Sequence, residues 1–570
     1  MYFEPTKRQK RKLLVDELKY NRTSHEAVWR EIANSYLPYR LRLNLSDTNR
    51  GDRRNQNIYD STIIRAVNTF ESGFMTAATD PTSEWVSLST KDKDRYNFGP
   101  HKTWFSESTQ VLLDQMDAAN TYVSLPTAYG NCAGFGFSAV MVEESFKGKA
   151  AFHTRVIPTG QAWYGQDDES NVNTFYEEHR MTVRQAYLRF GEKAEFSLLL
   201  QDLIDKSKWE EWVDVGRIIQ PNDEYMANSP LAKRMKYSSC WYELGECSKA
   251  SGYVRDNEDV YLLDGGFHDF PGAIFRWDLT EGDVYPNDYP GVESLGDNKS
   301  LQIGEKRSWQ GIEKLINPHW FAPESLRGTI DNGYIPGETT FVDERDAGKS
   351  IRPAHLMEPG FITPLEEKQQ QVRNRIRECF HYPTFSTFDS IPDKTRTATE
   401  IMERKGEKLL KLVKPYSIMT HGGLRPMVDL KFNILARRGM LPPAPPDLEG
   451  QPIEYKFNGV LANAQKLNRV QPNQAIVSFF AQIISITKDP NTILKLDIDQ
   501  AIDVIATNLG CDPTIIRSDE TVAMIRQQQA QAKQQQMQLE AAERGSVIAK
   551  NLAGSPLDSD NALSALTGAR

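Results

Sequence analysis

Apolar residues recur along this chain with two different periods, and the changes of period divide it. Through the first 135 residues they come three and four apart. Trp29, Ile32, Ala33, Tyr36 and Leu37 fall on one helical face before Pro38, and Thr23 with Glu26 has the spacing of a capping box at the start. Ile63, Val67, Phe70 and Phe74 predict a second helix, and Trp104, Val111, Leu112 and Met116 a third. From about 138 to 280 the period shortens towards two. Val140 and Val142 face Phe152 to Ile157 across a turn at Lys147-Gly148, which predicts a hairpin. Phe175 to Met181, Trp212 to Ile219, Cys240 to Leu244 and Val260 to Leu263 predict further strands, and Gly265-Gly266 leads towards another at Ala273 to Trp277. Thr182 to Phe190 reads as a short helix ended by Gly191. The pattern is α+β with mainly antiparallel pairing.

Two helical stretches with thin apolar stripes follow. One runs from about Val292 to Ile316 with Trp309, Ile312 and Ile316 aligned; the other runs from Leu365 to Phe380 with Val372, Ile376 and Phe380 aligned. So much polar surface suits helices at the border of solvent, or an antiparallel pair in an ordinary globule. Between them, Asn317 to Pro364 is rich in Gly and Pro, with short strands expected at Thr339 to Val342 and Ile351 to Arg352. Thr397 and Glu400 form a capping box that opens a long helix carrying Ile401, Leu409, Leu412, Val413 and Tyr416 on one side. Pro415 should kink it, Gly422-Gly423 is a second weak point, and it stops at Arg437-Arg438-Gly439. Residues 471 to 526 read as a further helical unit. Gln527 to Glu543 is a Gln/Ala-rich helix or a disordered tail.

At 570 residues there is chain for several domains. No apolar run reaches membrane-spanning length; Ala475 to Ile486 is short and broken by Ser478, Gln482 and Ser485. Met1 to Lys12 lacks the apolar stretch of a secretion signal. Five scattered cysteines suit reduced thiols in a cytoplasm, and no His or Cys completes a zinc spacing around Cys240 and Cys247. The formal net charge of −9 disfavours tight nucleic-acid binding, which depends on neutralising phosphates. A conduit has the opposite need, since DNA must slide through it. Lys7 to Lys12 and arginines 40, 42, 50, 53 and 54 could touch DNA or belong to solvated faces.

Catalytic chemistry is not assembled by the sequence. Gly348-Lys349-Ser350 resembles the end of a phosphate loop, but Asp343 stands where the first glycine belongs. Gly134-Phe135-Gly136 lacks the third glycine of a dinucleotide fingerprint, so close helix–strand packing accounts for it better. His153, His381 and His421 read as surface or core residues. The pairs Asp167-Asp168, Glu177-Glu178 and Glu366-Glu367 read as solvated faces. No catalytic residue, metal site or cofactor is expected.

Four passages carry a family resemblance, in the family's order. They are Trp29 to Pro38 with Ile58-Tyr59-Asp60-Ser61-Thr62; Tyr289-Pro290-Gly291-Val292-Glu293-Ser294-Leu295-Gly296-Asp297; the Thr397 to Glu400 helix; and Lys488-Asp489-Pro490 through to the Gln-rich stretch. Together they resemble the portal, or head-to-tail connector, proteins of short-tailed, podovirus-type phages. The proline-rich Tyr285 to Pro290 departs from the family's version. The resemblance implies a portal fold: an α/β wing at 1–290, stem helices at 291–316 and 365–380, and a small clip with short strands at 317–364. It further implies a tunnel loop at 381–396, a long kinked wing helix and return at 397–470, a helical crown at 471–526 and a tail at 527–570. It also implies a non-enzymatic ring of twelve copies at the portal vertex of the virion capsid, made in the host cytoplasm.

The partners implied are the terminase large subunit, tail adaptor or nozzle proteins, scaffolding and major capsid proteins, and double-stranded DNA in transit, with no membrane. Twelve helices about 10 Å apart enclose a bore of about 28 Å, wide enough for duplex DNA. Within this picture Lys394 and Arg396 are the residues that face DNA, and Pro415, Gly422 and Gly423 are hinges. The alternatives are a DNA translocase motor and another structural head or tail component.

Overall fold

The computed structural model describes residues 7–47, 51–52, 54–91, 99–146, 148, 150–191, 194, 196–227, 229, 231–244, 261–327, 339–343, 345, 351–353, 362–386, 411–448, 450–459, 461 and 519–553. They fall into two compact units. One comprises Met1–Val86, Val111–Leu441 and Phe457–Asn468; the other comprises Ser87–Gln110, Pro442–Lys456 and Arg469–Arg570.

The first unit opens with helix α1, Lys7–Ser35, which is longer than the sequence pattern suggests. The expected cap at Thr23 lies inside it: the Thr23 hydroxyl donates to the Lys19 carbonyl at 3.0 Å, and Glu26 is taken by Arg22 at 2.6 Å. The helix starts early because Val15 and Leu18 already pack on Tyr176, Trp163 and Ile218. Arg22 extends this seam: it is buried, stacks 3.9 Å above the Trp163 ring and donates to the carbonyls of Gly160 and Ala162. Helix α2, Thr62–Ala78, buries Ile63, Val67, Phe70 and Phe74 as its periodicity predicts. Helix α3 spans Gly99–Ala118, and α4 spans Thr121–Phe135, ending where Gly136 takes a left-handed conformation.

Two antiparallel sheets follow. Strand β2, Phe137–Glu144, lies between β3, Phe152–Ile157, and β9, Gly272–Arg276. The predicted hairpin is present, with Ala139 opposite Ile157 and Glu144 opposite Phe152. The second sheet is a five-strand meander: β4 (Ala162–Gln166), β5 (Val172–Thr182), β6 (Trp212–Pro221), β7 (Tyr237–Glu243) and β8 (Leu263–Phe267). The β4 strand escapes the sequence reading because Trp163 and Tyr164 are both buried, which hides the alternation. The strand placed at 260–263 instead carries the glycine pair within it. A Cβ on Gly266 would overlap the Ala232 carbonyl, so the pair permits a close approach, not a turn. Helix α5, Val183–Phe190, has Thr182 and Gln185 as a complete capping box, and α6 covers Leu198–Asp205.

The stem follows. Tyr289 caps a short turn at Pro290–Glu293, with Pro290 at the first helical position, and α7 runs Leu295–Ile316. Its partner α8 runs Ile362–Cys379. Between them β10 (Trp320–Pro323) pairs parallel to β11 (Thr339–Val342) and antiparallel to β12 (Arg352–Pro353). The last strand therefore lies one residue beyond its predicted position, and β10 was not predicted.

The helix foreseen from Thr397 is described from Val413 onward; Thr397 to Leu410 lie outside the described residues. Helix α9, Val413–Met419, continues through a π turn, Thr420–Leu424, into α10, Arg425–Arg437. Pro415 sits in the first turn of α9, where the backbone N–H it lacks has no helical acceptor among the described residues, and so no kink arises from it there.

In the second unit β1, Val86–Ser89, pairs with β13, Glu454–Phe457. Helix α11, Asp519–Ala553, is continuous for 35 residues. The boundary expected at 526/527 falls inside it, since Gln, Ala and Glu propagate a helix and no proline interrupts them.

Candidate functional site

Two of the four passages that carry the family resemblance meet at the start of α7. Tyr36, fully buried at the end of the first passage, donates its hydroxyl to the Gly291 carbonyl at 3.2 Å and lies 3.5 Å from that of Gly134. Gly291 belongs to the second passage, Tyr289 to Asp297, and a Cβ there would overlap the Gly134 carbonyl and approach the Tyr36 hydroxyl. Gly136, at φ +78°, faces the Tyr289 ring so closely that a Cβ would lie 2.5 Å from it. The two glycines thus serve close packing, Gly134 against Leu37 and the Pro290–Glu293 turn and Gly136 against the Tyr289 ring, not the helix–strand contact expected of them. Trp29 meets Tyr285 edge-on with centroids 5.5 Å apart.

The Ile58 to Thr62 passage is tied to α7 by a single amide. Gln302 Oε1 accepts from the backbone N–H of Tyr59 and Asp60 at 2.6 and 2.9 Å, and its Nε2 donates back to the Asp60 carbonyl at 2.8 Å. Asp60 then takes Arg373 of α8 at 2.9 Å, and Arg373 also holds Glu305 of α7. Burial pushes the Asp60 carboxyl up, but hydrogen bonds from Thr62 and the Arg373 guanidinium outweigh it and leave the carboxyl below its usual range. Glu305 goes the other way: burial raises it, and Arg373 offsets only part. Two carboxylates share one guanidinium, and Asp60 wins it.

Helices α7 and α8 join through small and polar groups. A Cβ on Gly304 would stand 3.3 Å from the Gln369 amide, Gln369 donates to Ser308 at 2.8 Å, and Arg375 pairs with Asp297 at 2.7 Å. Apolar contact is confined to a few positions: Leu301, Val372, Ile376 and Phe380 are buried. Lower on α7 the apolar side chains are bare, with Trp309 64% and Ile316 68% exposed. They line an open groove of about 530 Å³ with Tyr59, Lys306, Ile312 and Glu313.

Lys394 and Arg396 lie outside the described residues, as does Gly348-Lys349-Ser350. Gly422 and Gly423 form part of the π turn, pressed on β9. A Cβ on Gly422 would stand 2.9 Å from the Ile274 carbonyl, and one on Gly423 would stand 2.5 Å from the Phe275 ring. Of the arginines considered for DNA, Arg40 is bound to Glu71 and Arg54 to Asp47. His381 is half-buried, stacked on Trp277, and burial, with Lys411 nearby, lowers its pKa to about 4.

Glu177 corrects the expectation of a solvated face. It is wholly buried, held by Arg155 at 3.0 Å, His179 at 2.9 Å and Arg217 at 3.4 Å, while Arg217 also takes Glu143 at 2.5 Å. Burial pushes its carboxyl up, but Arg155, His179 and Arg217 drive it far below the carboxylate range. The cluster could not be found in the sequence because its members come together only through strand register. Among the described residues no group of His, Cys, Asp or Glu is arranged to hold a metal, and no helix is long and apolar enough to cross a membrane.

The described residues combine helices and antiparallel sheets with a mostly polar helix pair, α7 and α8, whose start is joined to the body by the motif residues. The chain belongs to the bacteriophage head to tail connecting protein family, whose model matches residues 8–516. It is similar to the portal protein of Salmonella phage epsilon15, with 31% identity over 566 residues and 98% of each chain covered. It is similar also to the probable portal protein of Bordetella phage BPP-1, with 30% identity over 562 residues and the same coverage.

Proposed function

We propose that the chain assembles into a closed ring of twelve copies at the genome-entry vertex of a phage capsid, through which double-stranded DNA is packaged and later ejected. The stem carries this reading: a polar helix pair, rooted by the family's motif residues, in a chain coextensive with two portal proteins. In this reading residues 1–290 and 397–470 form the wing, 291–316 and 365–380 the stem, 381–396 the tunnel loop, 471–526 the crown and 527–570 the tail. Residues 317–364 are the clip, which docks the terminase large subunit and later the tail adaptor or nozzle proteins. Scaffolding and major capsid proteins meet the ring from the head side. Energy comes from the docked motor. A ring of twelve carries a formal charge of about −108, from −9 per copy, which keeps the wall from gripping DNA.

Native mass measurement and electron microscopy of the purified protein test the assembly. Closed particles near twelve copies with a central opening are the expected result; solitary compact particles at every concentration would overturn it. We place the DNA contacts at Lys394 and Arg396, where repetition turns one or two cations per copy into a belt. Replacing both by Ala should lower packaged or retained DNA while rings still form, and unchanged genome filling would remove the assignment. Gly422 and Gly423, with Pro415 ahead of them, are the hinge through which movement passes to the wing.

A further inference from the structure

We infer that the pocket between the Arg42–Asp47 loop and strand β5 captures a carboxylate of a protein partner, with Arg42 as the group that receives it. The site belongs to a single copy of the chain and does not depend on the ring reading. Leu41 bridges to Thr159, and the Arg42 N–H donates to the Thr159 carbonyl at 2.8 Å, so the loop is pinned across the turn that leads into β4. Gly160, at φ +89°, allows that approach: a Cβ there would stand 2.8 Å from the Leu43 side chain and 2.9 Å from the Arg42 carbonyl. Loop and sheet border a cavity of about 180 Å³ walled by Leu43, Leu45, Trp163 and Trp212. Pockets for whole small molecules start near about 300 Å³, so this one suits the end of a chain or a single side chain.

The charged groups around the cavity have partners of their own, with one exception. Asp47 is held by both terminal nitrogens of Arg54. Glu178 takes Lys19 at 2.6 Å and the Tyr176 hydroxyl at 2.8 Å. Arg180 pairs with Asp214 at 3.5 Å, and His179 with the buried Glu177 at 2.9 Å. Arg42 is left over: among the described residues no carboxylate reaches it, and its Nε is buried without an acceptor. A buried guanidinium nitrogen without an acceptor costs stability that a bound anion recovers. The backbone adds a second donor. In β5 the N–H groups of Tyr176, Glu178 and Arg180 point to the same edge. Strand β4 covers the first, with Trp163 opposite Tyr176, and the Gln161 carbonyl takes the second. The third, on Arg180, lies past the end of β4 at the cavity. One spare cation matches one negative charge, and the apolar walls match a side chain beside it. That is the chemistry of a peptide carboxylate, from a free C-terminus or from Asp or Glu. A nucleic acid fits poorly, since it would bring a phosphate at every step past Asp47 and Glu178.

Fluorescence anisotropy with the full-length protein tests this. The probes are a labelled peptide pool Gly-Ser-Gly-x-Leu with a free C-terminal carboxylate, where x is apolar, the same pool amidated, and an amidated pool with Asp or Glu at x. Arg42→Gln should weaken binding about tenfold, Arg42→Lys should keep part of it, and Leu45→Glu, which sets the chain's own carboxylate in the cavity, should block it. Circular dichroism of each variant reports that the fold is intact. Binding by the free-carboxylate pool that amidation abolishes assigns the site to a C-terminus; equal binding by the amidated acidic pool assigns it to a side chain. No saturable binding of either pool, or binding that Arg42→Gln leaves unchanged, would overturn the inference. Arg42-dependent binding of a short DNA duplex with neither pool bound would overturn it as well.

Discussion

Lys431 is wholly buried in α10, with its Nζ donating to Thr121 Oγ1 at 2.8 Å and standing 5.0 Å above the Phe152 ring. Burial drives its pKa well below the usual 10.5. The unfolded chain therefore holds a proton at this position that the folded chain releases, and stability rises with pH between the lowered value and 10.5. Replacing it by Met, which keeps the length of the chain and removes the amine, should stabilise the protein at pH 7 by about 1–3 kcal/mol. Thermal unfolding at pH 7 and pH 9 should show wild type gaining on the variant at the higher pH; parallel behaviour at both would count against a neutral buried amine. The sequence offered a lysine in a helix between apolar neighbours, Leu430 and Phe432, and no local pattern distinguishes that from a solvated one. Glu177 is the same kind of case, as alternation put a carboxylate where only cross-strand partners could neutralise it.

At the scale of elements, the helix from Val413 to Arg437 shows how a correct pattern can conceal its cause. Its apolar side was legible, and so was a weak point at Gly422-Gly423. The source of the wide turn is Pro426, which follows in α10. In an α register the Pro426 ring would press on the carbonyl of Gly422 and leave it without a donor. The chain widens instead, and the Arg425 N–H reaches back five residues to the Thr420 carbonyl. The two glycines then let the widened backbone lie against β9. Gly423→Ala should lower stability by about 1–3 kcal/mol, because its Cβ would meet Phe275 at 2.5 Å, while Pro415→Ala in the first turn should stay within about 1 kcal/mol. Thermal midpoints of the two variants decide it, and an equal loss at both positions would mean that the hinge is not centred on the glycines.

For the molecule as a whole, the order of helices and sheets, and the helix pair of α7 and α8, could be read from periodicity. What could not be read was convergence. Tyr36, Asp60, Gly134 and Gly291 are far apart in sequence and gave only four short motifs, yet they come together along the first half of α7. The second half of α7 differs: Trp309, Ile312 and Ile316 were correctly aligned on a stripe, but only the fold reveals that the chain leaves Trp309 and Ile316 bare.

The buried charges of the body carry one more consequence. Arg155 and Glu143 belong to the three-stranded sheet, Glu177 and Arg217 to the five-stranded one, and each guanidinium grips the carboxylate across the divide. Pulling the layers apart would break both cross-sheet pairs at once and leave the buried Glu177 with only Arg217 and His179, so a half-open state is costly. The two layers should melt as one body.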